Sequence, residues 1–268
     1  MTKKVFISVD MEGVTGVVHF DEVERNKSDF MMFRKLMTAE VNAAINGALE
    51  AGASDIIVRD AHDEARNILP EELNKSARLL RGWADSPLSM MEGIDNSYNA
   101  VMFVGYHAPA DTPDGTLSHT MSMKIAELKV NDVVMAEAGL NALIAGMFDV
   151  PVVFVSGDKA TCDYTRDTLG EIETVVVKEG IGAAAINLHP EISRELIQLH
   201  SKKALEKLDR FSPFKLSPPY EFKIRYRYEY SAYKAHFYPG VKRLSSNQVA
   251  FRSNDLSACL TFLFFCLG

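Results

Sequence analysis

The sequence predicts an α/β protein, with a doubly wound, mainly parallel sheet followed by a small C-terminal α+β appendage. Three observations lead there. Residues 5–9, 55–59, 100–104 and 151–155 are short apolar runs rich in β-branched side chains, as expected of strands buried on both faces. Segments with apolar residues at three- and four-residue intervals alternate with these runs, which is the pattern of strand–helix units in a parallel sheet. From Glu221 the character changes to strict alternation at Phe222, Ile224, Tyr226 and Tyr228, so the tail is a different kind of structure.

Residues 5–9 form the first strand, and Gly13 and Gly16 soon after it let the chain turn sharply. Between them and the strand stand Asp10 and Glu12, which point the same way on an extended chain. Like charges at the mouth of a buried strand are costly unless a cation lies between them. The competing reading makes Asp10 the cap of the next helix and leaves Glu12 in water. Residues 29–51 read as a long amphipathic helix, with Phe30, Phe33, Met37, Val41, Ile45 and Ala48 on one face and Gly52 at its C-terminal cap. The strand over 55–59 leads into Asp60-Ala61-His62. A short helix over 70–75 and a strand over 77–80 are expected next, then the strand 100–104, which leads into Gly105-Tyr106-His107.

Residues 108–120 are a loop carrying His119. Residues 127–137 read as a hairpin turning at Asn131-Asp132, and 138–148 as a helix stopped ahead of Pro151. The strand 151–155 ends in Ser156-Gly157-Asp158; 174–177 is a further strand, and 181–208 is expected to be largely helical, divided at Pro190. In the tail, a short helix near Ala232 and a strand over 248–251 precede an apolar segment from Leu256, with Tyr226, Tyr228 and Tyr230 on one face of a strand.

At 268 residues the chain can bury a full α/β core. Pro213, Pro218 and Pro219 mark a linker between a metal-binding catalytic domain over 1–211 and a small α+β domain over 220–268. The formal net charge of −7 disfavours a nucleic-acid or anionic-membrane partner. Cys162, Cys259 and Cys266 are odd in number and lack metal-ligand spacing, and no apolar signal segment follows Met1, so a reduced cytoplasm is the expected setting. The apolar residues 260–267 fall far short of the ~20 needed to span a bilayer and are expected to be a buried terminal helix or a subunit contact.

The chemistry-bearing residues fall in one place. Asp10 with Glu12, Asp60 with His62, and His107 each lie just beyond the carboxyl end of an expected strand, the edge where open α/β sheets bind ligands. Glu137, after the hairpin, can fold over the same edge. Mixed carboxylate and imidazole donors suit zinc, or manganese, cobalt or iron, better than calcium or magnesium. Asp10, Glu12, His62, His107 and Glu137 exceed the usual three protein ligands of one catalytic metal. They fit two metals about 3.5–4 Å apart, bridged by one carboxylate and by a water that can act as hydroxide. Asp10, closest to its strand end, is the expected bridge. His119, flanked by Ser118 and Thr120, is the expected catalytic acid–base or oxyanion donor. Asp60 is expected to fix the tautomer of His62, Asp158 to cap a helix and Asn141 to bond backbone, the alternatives being that Asp158 lines the pocket and that Asn141 reaches the substrate. Cys162 has no partner histidine in a triad-like setting and is not expected to be a nucleophile.

Five motifs in order, Ser8-Val9-Asp10-Met11-Glu12-Gly13, Asp60-Ala61-His62, Gly105-Tyr106-His107-Ala108, Ser118-His119-Thr120 and Glu137-Ala138-Gly139-Leu140-Asn141-Ala142, resemble the M55 family of zinc metallopeptidases, the DppA-type D-aminopeptidases. The similarity extends into the appendage at Pro239-Gly240. It implies two zinc ions per subunit, with Asp10 shared by both, Glu12 a ligand of one, and His62, His107 and Glu137 completing the coordination spheres. It also implies His119 as catalytic and a ring-like homo-oligomer whose sites face an enclosed channel. The expected function is a dinuclear zinc aminopeptidase that removes N-terminal residues from short peptides, D-amino-acid peptides among them, through a metal-bridging hydroxide. The alternative is another metal-dependent amidohydrolase or a phosphoesterase on the same site. A phosphoester would call for basic side chains near the metals, where the motif loops offer only Arg59 and Arg66. A non-catalytic protein with a closed structural metal site would have no use for the spare histidine.

Overall fold

In the computed structural model, which describes residues 3–267, β1 (Lys3–Val9) lies inside a seven-stranded sheet. The expected domains' outermost residues, 1, 2 and 268, lie outside the described residues. Val5, Ile7 and Val9 pack into the core on one face of β1 and Phe6 into the core on the other. Both faces being covered, the run needs no polar alternation. The first face is covered by α1 (Phe30–Glu50), which the apolar spacing of residues 29–51 anticipates. The chain returns through β2 (Ala53–Asp60), β3 (Ala77–Leu80) and β4 (Ala100–Tyr106), so that β2 and β4 flank β1 on either side, both parallel to it.

A hairpin follows, β5 (Ile125–Val130) and β6 (Val133–Val134), turning at Asn131 and Asp132, both at positive φ. Next come α2 (Glu137–Met147), β7 (Val152–Asp158), α3 (Lys159–Leu169), β8 (Glu173–Ile181) and β9 (Ala184–Asn187), and then α4 (Pro190–Glu206), which packs against α1. The sheet order is β3-β2-β1-β4-β7-β8-β9, parallel except for the last strand.

Two expectations along this stretch do not hold. Residues 70–75 form no helix: Glu72 N and Leu73 N both donate to the Leu69 carbonyl, one turn is made, and Asn74 leaves it to bond the side chain of Asn42. A single turn without an apolar face to bury does not propagate. Residues 181–208 are not helical throughout, because Ile181 ends β8 and residues 184–187 turn back as an edge strand. Pro190 starts α4 instead of dividing a helix, since a proline at the first helical position gives up an N–H that has no partner there anyway.

The tail forms β10 (Tyr220–Tyr226), α5 (Glu229–Ala235), β11 (Lys242–Arg243), β12 (Gln248–Ser253) and α6 (Leu256–Phe265). Its strand ends at Tyr226. Tyr228 and Tyr230 belong to the start of α5, exposed and stacked on each other at 5.4 Å, and do not share a strand face with it. The second sheet runs β11-β12-β10-β5-β6, so the hairpin from the 1–211 segment is part of it. This sheet, α2 and α6 form one continuous core with the second face of the large sheet. Among the described residues no helix is long and apolar enough to cross a membrane.

We propose that the tail and the hairpin fold as one unit. A chain cut after residue 211 strips β5 of its neighbour β10 and bares Ile125, Leu128 and Val130, all buried in the whole protein. It is expected to lose the cooperative urea transition of the full chain. A soluble 1–211 fragment with a sharp transition of its own would overturn this.

Candidate metal centre

The ends of β2, β1 and β4 are held level by backbone bonds that continue the ladders past the strands. Asp10 N donates to the Val104 carbonyl at 2.8 Å and Ala61 N to the Val9 carbonyl at 2.9 Å. Gly13 N donates to the Gly105 carbonyl at 2.8 Å, an approach so close that a Cβ on Gly13 would lie 1.8 Å from the Tyr106 carbonyl oxygen. Gly105 itself sits at φ +71°, a conformation open to glycine, and a Cβ there would meet the Asp10 carbonyl oxygen at 2.3 Å.

Two buried ionisable side chains pin the loop behind Glu12. Glu40, on α1, accepts from Thr15 N at 2.9 Å. The ammonium of Lys178, on β8, donates to the carbonyls of Glu12, Val14 (3.1 Å) and Val17 (2.5 Å). Neither residue stands out in the sequence as part of the site. The available signal is weak: a lysine directly after Val175-Val176-Val177 and a glutamate within the apolar stretch of α1.

The structure brings all six expected residues together. Asp10, Glu12, His62, His107 and Glu137 are buried, and the side chain of His119 is 14% exposed. His62 Nδ1 lies 3.2 Å from Asp10 Oδ1 and 3.0 Å from Glu12 Oε2. His107 Nε2 lies 3.4 Å from Asp10 Oδ2 and 3.5 Å from Glu137 Oε2. His119 stacks on His107 with ring centres 4.1 Å apart, and its Nε2 lies 3.6 Å from Glu137 Oε1 and 3.9 Å from Glu12 Oε1.

In each imidazole the other nitrogen is anchored on a backbone carbonyl: His62 Nε2 on Val23 at 2.9 Å, His107 Nδ1 on Ala108 at 3.0 Å, and His119 Nδ1 on Leu117 at 2.8 Å. A ring that donates its outer N–H turns a lone pair inward, which is how metal-ligating histidines are held. The expected role of Asp60 is therefore corrected. It makes no bond to the His62 ring, and its carboxylate accepts from Asn67 N, Asn67 Nδ2 and Ile68 N. Asn67 in turn donates to the His62 carbonyl, so Asp60 shapes the loop while Val23 sets the tautomer. Asp158 caps α3 as expected, accepting from Thr161 N, and also takes Thr116 N. Burial and the charge of Asp158 push the Cys162 thiol up to about 12, in keeping with an inert cysteine.

The cluster's electrostatics call for positive charge. Burial, and then the charge on Glu12, lifts Asp10 to about 8. Burial opposes charging of His107, yet Glu137 and Asp10 raise it to about 10. His62 rises well above its ordinary value by the same contest, burial against the carboxylates of Glu12 and Asp10. His119 goes the other way, lowered by burial and by the neighbouring His107. Asp10 Oδ2, Glu12 Oε2 and His107 Nε2 are buried with no hydrogen-bond partner among the described residues. Acceptors left bare in this way at one point fit divalent cations. Asp10, Glu12 and His62 converge as one set of donor atoms, Asp10, His107 and Glu137 as another, and Glu12, His107 and His119 as a third. The cluster forms one wall of a cavity of about 430 Å³, whose other walls include Phe20, Trp83, Met90, Met121, Phe264 and Leu267.

An open cavity against a carboxylate–imidazole cluster, at the carboxyl edge of an α/β sheet, defines a metal-dependent hydrolase. The profile of the peptidase M55 family, described as D-aminopeptidase, matches residues 3–265, and the chain belongs to that family. It is thus a metallopeptidase of the aminopeptidase class. The D-aminopeptidase of Bacillus subtilis (strain 168) is 33% identical over 257 residues, 94% of this chain and 92% of that protein. The solved structure of the Zn-dependent D-aminopeptidase DppA from Bacillus subtilis, a self-compartmentalizing protease, superposes with a TM-score of 0.95 at 30% identity, covering 98% of this chain and 96% of that one. The family match reaches through the appendage, as the Pro239-Gly240 similarity anticipates.

Replacing Lys178→Met leaves three buried carbonyls without their donor. It is expected to destabilise the protein by about 3 kcal/mol in urea unfolding and to weaken zinc retention on dialysis. Unchanged stability and unchanged zinc retention would show that the ammonium does not hold the loop.

Proposed function

We propose that the protein is a dinuclear zinc aminopeptidase acting on short peptides, D-amino-acid peptides in particular. The observation that carries this reading is the position of Asp10 in two of the three convergent sets, with Glu12 and His62 on one side and His107 and Glu137 on the other. A carboxylate shared in this way is what a two-metal site requires. The zinc assignment and the preference for D-peptides rest on the relatives, both D-aminopeptidases and one of them zinc-dependent.

Zinc held by these residues would polarise the scissile carbonyl and acidify a water. His119 is placed for the proton. With Nδ1 committed to the Leu117 carbonyl, it presents Nε2 to the cavity. As the water oxygen bonds the carbonyl carbon, Nε2 takes the water's proton, and it returns that proton to the amine nitrogen as the C–N bond breaks.

The cavity supports a peptide over a phosphoester. Glu24, Asp63, Asp85 and Glu92 line it together with the site carboxylates, and no lysine or arginine does so among the described residues. That field attracts a free ammonium terminus and repels a phosphate. Arg59 is fully buried with its guanidinium 4.6 Å from the Trp83 ring, and Arg66 pairs with Glu64. Assembly into a ring-like homo-oligomer is proposed on the description of DppA as self-compartmentalizing. Tyr228, Tyr230, Tyr233 and Phe237, exposed together around α5, offer an apolar surface for it.

Metal-stripped protein is expected to hydrolyse D-Ala-D-Ala only after zinc is restored, to two ions per subunit by elemental analysis, and Asp10→Ala to be inactive in both conditions. Zinc bound at that stoichiometry without cleavage of D-Ala-D-Ala or L-Ala-L-Ala would rule the reading out. Turnover of a phosphoester in its place would favour the alternative hydrolase.

His119→Ala is expected to lower kcat on the order of 10²–10⁴-fold with zinc content unchanged. Loss of zinc in that variant would instead make His119 a ligand.

A further inference from the structure

Trp83, the chain's single tryptophan, borders the main cavity and is 38% exposed. Its indole is held on two sides. Nε1–H donates to the Asp63 carbonyl at 2.6 Å, which sets the ring beside His62 and so beside the metal cluster. Behind the ring lies Arg59, the penultimate residue of β2, wholly buried, with its guanidinium 4.6 Å from the ring centre. Arg59 Nη1 also donates to the Gly82 carbonyl at 2.5 Å, and Gly82 N to the Ala65 carbonyl at 2.7 Å. The backbone leading into Trp83 is thereby tied down as well. Because the Arg59 side of the indole is sealed, the exposed area of Trp83 belongs to the rest of the ring. A flat surface fixed before its ligand arrives loses little freedom on binding.

The cavity, at about 430 Å³, is of a size that encloses a drug-sized ligand. That leaves room beyond the metal cluster for a large side chain. Two chemistries use an aromatic face, an apolar group and a cation, and Arg59 decides between them. Its charge already holds one face of the π-system, and a second cation at the other face is repelled by it across the indole. The acidic wall is also partly engaged elsewhere: Glu24 lies 3.9 Å from the Lys27 ammonium, and Glu92 accepts from the Ser86 hydroxyl.

His119 sets the direction of the peptide. The leaving amine has to come to His119 Nε2, which lies 3.6 Å from Glu137 Oε1. The leaving residue therefore lies on the Glu137 side of the cluster, and the N-terminal residue on the His62 side, where Trp83 stands.

We propose that Trp83 determines specificity for the N-terminal side chain, its open surface selecting a large apolar group, of the leucine type, over the methyl of alanine. The inference rests on the peptidase reading of the adjoining cluster.

The test is calorimetric binding of Leu-Ala, Ala-Leu, Lys-Ala and Ala-Ala dipeptides, in D,D and L,L forms, to zinc-loaded His119→Ala protein, with and without Trp83→Ala. In one of the two forms Leu-Ala is expected to bind about tenfold more tightly than Ala-Ala, and Trp83→Ala to bring that ratio near one. Trp83 being the sole tryptophan, protein emission is expected to move to shorter wavelength as Leu-Ala binds. Equal affinities, a ratio that survives Trp83→Ala, an unmoved spectrum at saturation, or no binding by any dipeptide overturns the proposal. So does Ala-Leu or Lys-Ala binding as tightly as Leu-Ala. A purely structural tryptophan would shift Tm and leave the ratio unchanged. Because the readout is affinity, a wild-type protein that cleaves no dipeptide would sink the aminopeptidase reading and leave this ratio to be read separately.

Discussion

Three carboxylates buried at one sheet edge are the constraint on which the rest of the structure depends. Asp10, Glu12 and Glu137 are 2–4% exposed, and mutual repulsion in such a place is large unless cations or protons offset it. The sheet order explains why this edge can hold them. β1 lies between β2 and β4, all three parallel, and neighbouring strands are about 4.8 Å apart. The carboxylate that directly follows the middle strand is therefore within reach of both flanks, His62 beyond β2 and His107 beyond β4. Asp10 faces both sides because of where its strand sits, before any metal chemistry is considered.

The remaining wall comes from the other half of the molecule. The hairpin of β5 and β6 delivers the chain into α2 with Glu137 in its first turn, and the Glu137 carboxylate accepts from Met121 N at 2.7 Å, which closes the loop carrying His119 over the edge. That hairpin is held in place by β10, and α6, packed on the same sheet, sends Phe264 and Leu267 into the cavity wall. The large sheet thus presents most of the ionisable donors, while the second sheet shapes the space in front of them.

The donors themselves were legible because their placement follows from local pattern. A buried run such as residues 5–9 has to end, and polar residues directly after it must lie at the sheet edge. The long apolar spacing of α1 was legible for the same reason. What escaped reading depends on contacts distant in the chain. Lys178 reaches the loop behind Glu12 from 166 positions away, and the Val23 carbonyl rather than the adjacent Asp60 meets His62. Residues 184–187 form a strand because β8 offers them an edge, a fact absent from their own sequence. The union of β5 with β10 is of the same kind, since nothing in residues 125–130 names their partner.

One physical rule runs through the site. A polar group with two ends can be aimed by committing one end to the protein, because the committed bond fixes both orientation and protonation at the other. Three backbone carbonyls do this for His62, His107 and His119. Ser8 and Tyr106, hung from the Met90 carbonyl, do it for Asn141, whose amide bonds these side chains and not the backbone that its sequence suggests. For the three imidazoles the free end faces the site with an acceptor lone pair, and that lone pair looks onto carboxylates, where only a cation or a proton relieves the charge.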